Sequence, residues 1–332
     1  MNGPGGNPPG GINKIVVTTV AGEGIAAFRD GPALTSRFRA PQDVAVTADG
    51  ILYVADALNH RIRKIAGGLV TTLAGFDRED TISGLGTAAG FALPYQITAD
   101  ATGNLYTLDV HDYRVRKITP AGLVTVVAGN GFRGFADGEV DMAKFGESIG
   151  IVTDDQGNIY VSDLENYRIR KIDNTGQVRT IAGNGISGYI NGNGDEAEFQ
   201  IPSGIVVDKH GNLFVGDFTR IRKISPDGIV STFTGQNATG FRDGDAGVAL
   251  FTMIDDLVID GQENIYVTDN NRIRKISAQG EVTTIVGGEV GYQNGDAVTA
   301  KFNGAHGLGI DKAGNIYVAD VNNNRIREIS FH

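Results

Sequence analysis

Cysteine and tryptophan are both missing from the 332 residues. Without cysteine there is no disulfide framework, no thiolate metal site and no thiol nucleophile. Without tryptophan, a sugar-binding groove loses its usual stacking surface. Basic charge is short as well: 29 Lys and Arg stand against 39 Asp and Glu, a net charge of −10. Nucleic-acid binding leaves a basic footprint, so this balance argues against it. No apolar run approaches the ~20 residues of a membrane-crossing helix, so no membrane insertion is expected. A long helical periodicity is also lacking.

The chain does have repetition. Residues 41–75 read PQDVAVTADGILYVADALNHRIRKIAGGLVTTLAG, and related strings begin near 94, 148, 202, 254 and 305. At the heart of each stands a short (Y/F)-x-x-D run, then a polar turn, then R-(I/V)-R-K-I, with Glu328 replacing the Lys in the last copy. Each copy holds four short apolar runs; in the first they are 42–47, 51–56, 61–65 and 69–74. Alternation rich in Val, Ile, Leu, Tyr and Thr is strand chemistry, and Asp49-Gly50, Asn59-His60 and Gly67-Gly68 supply the turns. Four antiparallel strands repeated six times predict an all-β fold, a six-bladed β-propeller with a period in the low fifties. The sixth copy stops after its third strand, and the missing fourth, I-V-V-T-T-V-A-G, stands at 15–22. This segment is expected to pair onto blade six and remove the open sheet edge. The expected organisation is one propeller domain over 13–332, preceded by a Gly/Pro-rich tail or linker at 1–12.

These strings resemble NHL repeats. The resemblance rests on the Asn59-His60-Arg61 turn with Tyr53–Asp56 and Arg61–Ile65 around it, and it extends from about 15 to 330. The G-x-x-x-x-G-(F/Y)-x-(D/N)-G connectors are similar to those of bacterial surface and secreted NHL proteins. That likeness implies a monomeric, extracytoplasmic binding propeller in a bacterium.

Six copies provide an internal control: what every blade has builds the blade, and what one blade has is a candidate for function. The Asp of the repeat (Asp56, Asp109, Asp163, Asp217, Asp269, Asp320) and the first Arg of R-I-R occur in all six, so this Asp and that first Arg are expected to pair structurally across the hairpin. Phe38, Phe91, Phe145, Phe199, Phe251 and Phe302 are expected to pin the connectors onto the ring. Gly129–Gly134 and Gly183–Gly188 match G-x-G-x-x-G, but no helix follows to complete a dinucleotide site. Gly146–Gly150 matches G-x-S-x-G, yet Ser148 aligns with Pro41, Pro94 and Pro202 and lacks the strand–turn–helix of a nucleophile elbow.

The inner strands diversify where they enter the channel. The entry pairs include Gln42-Asp43, Tyr95-Gln96, Asp255-Asp256 and His306-Gly307. Gln42, Asp43, Tyr95, Gln96, Asp255, Asp256 and His306 are therefore the candidate binding residues at the channel mouth. Asp255, Asp256 and His306 are also candidate ligands for a metal, with calcium the cation that oxygen donors favour. No cofactor is otherwise required. On the rim, His60, Asp77, Glu79, Asp80, Tyr113 and Tyr167 are candidate contacts, because loops on a rigid ring are where recognition resides. NHL-like lyases use zinc held by several inner-strand histidines, and only His306 sits at such a position here. The favoured expectation is a non-catalytic scaffold presenting its connector face to a protein, peptide or glycan. The alternative is a calcium-dependent hydrolase or lyase, lactonase-like or amidating-lyase-like, at the channel mouth.

Overall fold

The computed structural model describes residues 14–332, so the expectation for the 1–12 tail lies outside the described residues. Six antiparallel sheets form as blades. Their inner strands are Pro41–Val46, Pro94–Ala99, Ser148–Thr153, Pro202–Val207, Ile254–Ile259 and Ala305–Ile310. Each of these touches the inner strands of the blades on either side, which makes a ring around one channel. Every inner strand carries a register shift near its start, for example between Pro41 and Asp43, so the chain twists where it enters the channel.

Blade six takes its fourth strand from the other end of the chain. Ile15–Ala21 runs antiparallel to Arg325–Phe331, with Val17 opposite Ile329 and Thr19 opposite Arg327. Lys14 and His332 exchange backbone hydrogen bonds of 2.7 and 3.0 Å at the end of this ladder. Five of the sheets gain a fifth strand of two residues from a connector, such as Gly31–Pro32 on Leu69–Gly75. The connector thus covers an edge that would otherwise be an open template for pairing.

The core lies between blades rather than within them. One apolar cluster joins Tyr266 and Ile273 of blade five to Leu308, Val318 and Ile329 of blade six, with Val17 from the N-terminal strand. Each blade buries both faces against its neighbours. This explains the nearly continuous apolar runs of the second strands, such as Leu52–Asp56, buried throughout.

The Asp and Arg repeats are structural, but not in the predicted pairing. The second Arg of R-I-R, not the first, meets the Asp: Arg63–Asp56 at 2.6 Å, Arg170–Asp163 at 2.8 Å, Arg222–Asp217 at 2.8 Å. The two arginines stand two apart and share a face by alternation, but the register shift against the fourth strand, between Ile62 and Arg63 in blade one and between Ile169 and Arg170 in blade three, separates their surroundings, and Arg63, Arg170 and Arg222 are fully buried. The buried guanidinium then gathers the connector. Arg170 donates to Asp163, to Asp137 (2.6 Å) and to the carbonyls of Ala136 and Lys144 (2.7 and 3.1 Å), and lies over the Phe145 ring at 5.0 Å. The predicted Phe pins, buried in all six blades, are therefore the floor on which this Arg sits. The first Arg stacks instead on the connector aromatic, as Arg61 does on Phe28 (4.0 Å) and Arg168 on Phe135 (4.0 Å).

Blade two shows the logic by departing from it. Its connector has Ser83 where blade one has Asp30, and its turn has Asp112 where blade one has Asn59. The carboxylate lost from the connector reappears in the turn, and Asp112 takes the Arg116 guanidinium at 3.2 Å. Thr81 replaces the stacking aromatic, and Arg114 pairs with Asp112 instead.

Candidate functional site at the channel and rim

Two rings of side chains close the connector end of the channel. The outer ring contains Gln42, Tyr95, Asp255 and His306, each partly exposed. His306 and Tyr95 come from blades six and two and meet above blade one. The Tyr95 Oη to His306 Nε2 distance is 3.0 Å, the rings lie edge to face at 5.2 Å, and His306 Nδ1 is 3.1 Å from the Gln42 carbonyl. A carbonyl only accepts, so Nδ1 carries the proton and Nε2 accepts from the tyrosine hydroxyl. Burial holds this imidazole neutral, with its pKa down to about 4, and burial with Asp255 and Asp256 nearby raises the Tyr95 phenol to about 12.

This arrangement leaves His306 no free lone pair with which to bind a metal. Sequence grouped His306 with Asp255 and Asp256 as ligands; the structure turns the imidazole toward Tyr95, because Tyr95 and His306 flank the same neighbouring blade. Among the described residues no three His, Asp or Glu side chains come together as a metal-ligand set.

The second ring is the throat. Asp43 and Asp256 are buried, 1 % and 3 % exposed, and each holds an amide of the next blade: Ile97 N–H donates to Asp43 Oδ2 (2.8 Å) and Leu308 N–H to Asp256 Oδ2 (2.7 Å). The carboxylates are therefore inter-blade ties. Glycine on the preceding blade makes room for each: a Cβ on Gly307 would collide with the Asp43 carboxylate, and one on Gly204 would lie 2.5 Å from Asp256 Oδ1. Gln96 is buried on the same ring, with its Oε1 lacking a partner. Burial pushes the carboxyl pKa of Asp43 well up, and the Asp256 charge adds to it; burial brings Asp255 and Asp256 to about 7.

These shifts have a sign. A carboxyl whose folded pKa is raised binds more protons folded than unfolded, so its contribution is full below the unfolded value near 4 and is lost as pH rises through about 7. Asp256→Asn removes that loss. Its melting temperature should exceed that of the parent at pH 8, and the difference should shrink toward pH 5; thermal melts across this range check it, and a pH-independent difference contradicts it.

Ser148 is buried, with Oγ 3.3 Å from the Gly146 carbonyl and 3.5 Å from Asp163, in a strand with no helix after it. It is part of the blade.

The rim candidates separate into two groups. His60, Tyr113 and Tyr167 each end their turn in the left-handed region (φ 53–55°) and are half-buried. His60 Nδ1 lies 2.7 Å from the Ala92 carbonyl of the next connector. Asp77 and Glu79 are exposed on connector two; Asp80 is half-buried, near Arg78 at 3.7 Å, and Glu79 faces His111 at 3.8 Å. Sequence reasoning missed a further feature of this face. At one equivalent connector position stand Ile25, Phe132 and Ile186, exposed at 51, 70 and 60 %, and one position further along the shorter sixth connector stands Val290, exposed at 64 %. Their hydrophobicity was legible, but not the outward direction in which each tip points.

It also missed a cavity of about 620 Å³ at the opposite end of the channel, among the turns between inner and second strands of blades two to five.

Known proteins agree with this architecture. The NHL repeat family matches residues 38–65 and 302–329, and the Teneurin NHL domain family matches 187–243. Human teneurin-4 is 27% identical over 324 residues, covering 85% of this chain but only 11% of its own length. Among solved structures, an auxiliary nutrient binding protein from Bacteroides thetaiotaomicron superimposes with a TM-score of 0.72 at 18% identity, over 96% of this chain and 77% of that one. A gluconolactonase from Xanthomonas campestris gives 0.63 at 12%, over 95% and 89%. Such low identities speak for the fold alone. The chain is a six-bladed β-propeller, and its first and last repeats match the NHL repeat family.

Proposed function

We propose that this propeller is a non-catalytic binding module that presents its connector face to a protein, peptide or glycan. The observation that carries this reading is the set of exposed apolar tips, Ile25, Phe132, Ile186 and Val290, on connectors held rigid by buried Arg–carboxylate ties. Exposed apolar side chains on rigid loops mark recognition surfaces. The channel mouth offers less: its imidazole is committed to Tyr95 and the throat carboxylates Asp43 and Asp256 to backbone amides. We infer an extracytoplasmic setting, supported by the likeness to bacterial nutrient-binding proteins.

Peptide and glycan arrays probed with the intact chain and with Phe132→Ser/Ile186→Ser test the reading. The variant should keep its melting temperature within a few degrees and lose at least tenfold in affinity for any ligand found. Undiminished binding by the variant rules out the face. The second reading, a calcium-dependent hydrolase or lyase at the channel mouth, is supported by the buried pair Asp43 and Asp256 and by the gluconolactonase likeness in fold. Calcium-dependent lactone turnover abolished by Asp255→Ala would establish it instead.

A further inference from the structure

Six Asn-Gly steps stand among the described residues, beginning at Asn130, Asn184, Asn191, Asn193, Asn294 and Asn303. An asparagine before glycine is prone to cyclise, because glycine has no Cβ to shield its amide nitrogen. The fold treats the six differently. At Asn191 and Asn294 the side-chain oxygen is held by the buried guanidiniums of Arg222 and Arg327 (both 2.8 Å), and Gly192 and Gly295 are paired in short strands with Val230 and Val17. The Gly304 amide donates to Asn271 Oδ1 at 2.7 Å. Asn193 is paired with Ile229, and its side-chain amide donates to Glu196 at 3.1 Å.

Asn130 and Asn184 stand apart. They occupy equivalent positions on connectors three and four, just before the exposed tips Phe132 and Ile186. Each side-chain oxygen accepts the amide two residues on: Phe132 N–H donates to Asn130 Oδ1 at 3.0 Å, and Ile186 N–H to Asn184 Oδ1 at 2.8 Å. Such an Asx turn folds the side-chain carbonyl back toward the glycine nitrogen between them. Gly131 and Gly185 have φ of +83° and +90°, and a Cβ there would collide with the guanidinium of Arg114 or Arg168. The same guanidinium donates to the asparagine main-chain carbonyl, Arg168 to Asn184 O at 2.9 Å and Arg114 to Asn130 O at 3.3 Å. Arg325 makes this contact to Glu23 O at 2.6 Å with no asparagine present. The scaffold therefore builds the contact, and it acquires chemistry only where an Asn-Gly step meets it.

We propose that Asn184 and Asn130 are self-modifying sites, assisted by Arg168 and Arg114, that pass through a succinimide to aspartate and isoaspartate. At Asn184 the Gly185 amide gives its proton to solvent base, and its nitrogen bonds to Asn184 Cγ. The bond from Cγ to the side-chain nitrogen breaks, and ammonia leaves. Water then opens the ring at Cγ, giving aspartate, or at the main-chain carbonyl, giving isoaspartate. Nothing is oxidised or reduced. The Ile186 N–H already bonds the oxygen on which charge develops as Cγ is attacked. The Arg168 guanidinium already bonds the oxygen that shares the negative charge of the deprotonated amide. Both donors stand where charge appears, and the turn keeps the reacting atoms together. The shorter guanidinium contact makes Asn184 the faster site. Isoaspartate lengthens the main chain by a methylene two residues before Ile186 and so displaces the tip. That consequence, unlike the modification itself, rests on the connector-face reading.

The intact chain, incubated at pH 8 and physiological temperature, digested in acid and mapped by fragmentation mass spectrometry, tests this. The mass gain of NH2 replaced by OH should accumulate first at Asn184 and second at Asn130, each at least fivefold faster than at Asn191, Asn294 and Asn303. Urea should erase that order. Arg168→Met should slow Asn184 at least threefold, with Asn130 in the same chain unchanged as the reference. Asn184→Gln should melt with the parent and stay unmodified at 184. Conversion at Asn184 and Asn130 no faster than at Asn191, or an Asn184 rate untouched by Arg168→Met, would overturn the proposal. The readout is mass, so it stands whether or not the connector face proves to bind a ligand.

Discussion

A chain beginning at Glu23 should fail to melt cooperatively and should aggregate. Losing Ile15–Ala21 strips the fourth strand from blade six and with it the contact between the two ends of the chain. Val17 and Ala21 are fully buried, and the ladder to Arg325–Phe331 goes with them. One buried Val contributes about 2 kcal/mol and each ladder hydrogen bond about 1 kcal/mol, so the loss is on the order of 5 kcal/mol or more, comparable with the whole stability of many domains. The exposed edge, RIREISF, is apolar and β-prone, an aggregation template. Circular dichroism melts and size-exclusion chromatography check this, and a synthetic peptide of residues 14–22 added in trans should restore part of the transition. A truncated chain that melts like its parent would mean that the ring does not depend on this strand.

Arg170→Met should cost about 3–5 kcal/mol, the usual penalty for removing one partner of a buried pair, and lower the melting temperature by on the order of 10 °C. The guanidinium is fully buried and serves Asp163, Asp137 and two connector carbonyls. Methionine fills most of the volume but satisfies none of them. Burial already raises the Asp163 carboxyl above its ordinary range despite Arg170, Asn166 and an amide of Gly146, so an Asp163 without Arg170 is worse placed still. The neighbouring Arg168→Met should cost only about 1 kcal/mol, because that side chain is part-exposed and stacks on Phe135. Two differential melts decide the matter. Equal losses at 168 and 170 would mean that the second Arg is not the tie.

Two residues apart on one strand, these arginines look alike in the sequence. Strand alternation predicts that residues two apart share a face, yet the register shift between Ile169 and Arg170 on the outer strand pairing separates their surroundings. Only the fold shows that one reaches the connector and Asp137 while the other reaches an aromatic tip. The same gap explains the metal expectation. Asp255 and His306 lie at equivalent repeat positions and Asp256 follows Asp255, so spacing places them on one mouth; whether side chains converge depends on rotamers and on which blade each one leans over, and His306 leans toward Tyr95.

The sequence by itself determined the number of blades, the four strands of each, the Phe positions under the connectors and the segment at 15–22 that supplies the last strand. These follow from a period and an alternation, which are properties of the chain taken locally. The tertiary structure alone decided which Arg is buried, that Asp43 and Asp256 tie one blade to the next, and that a cavity of about 620 Å³ opens among the turns at the far end. Those outcomes depend on distances between blades some fifty residues apart in the chain, such as Asp43 to Ile97 and Asp256 to Leu308. Packing between neighbouring blades sets such distances, and local periodicity does not encode them.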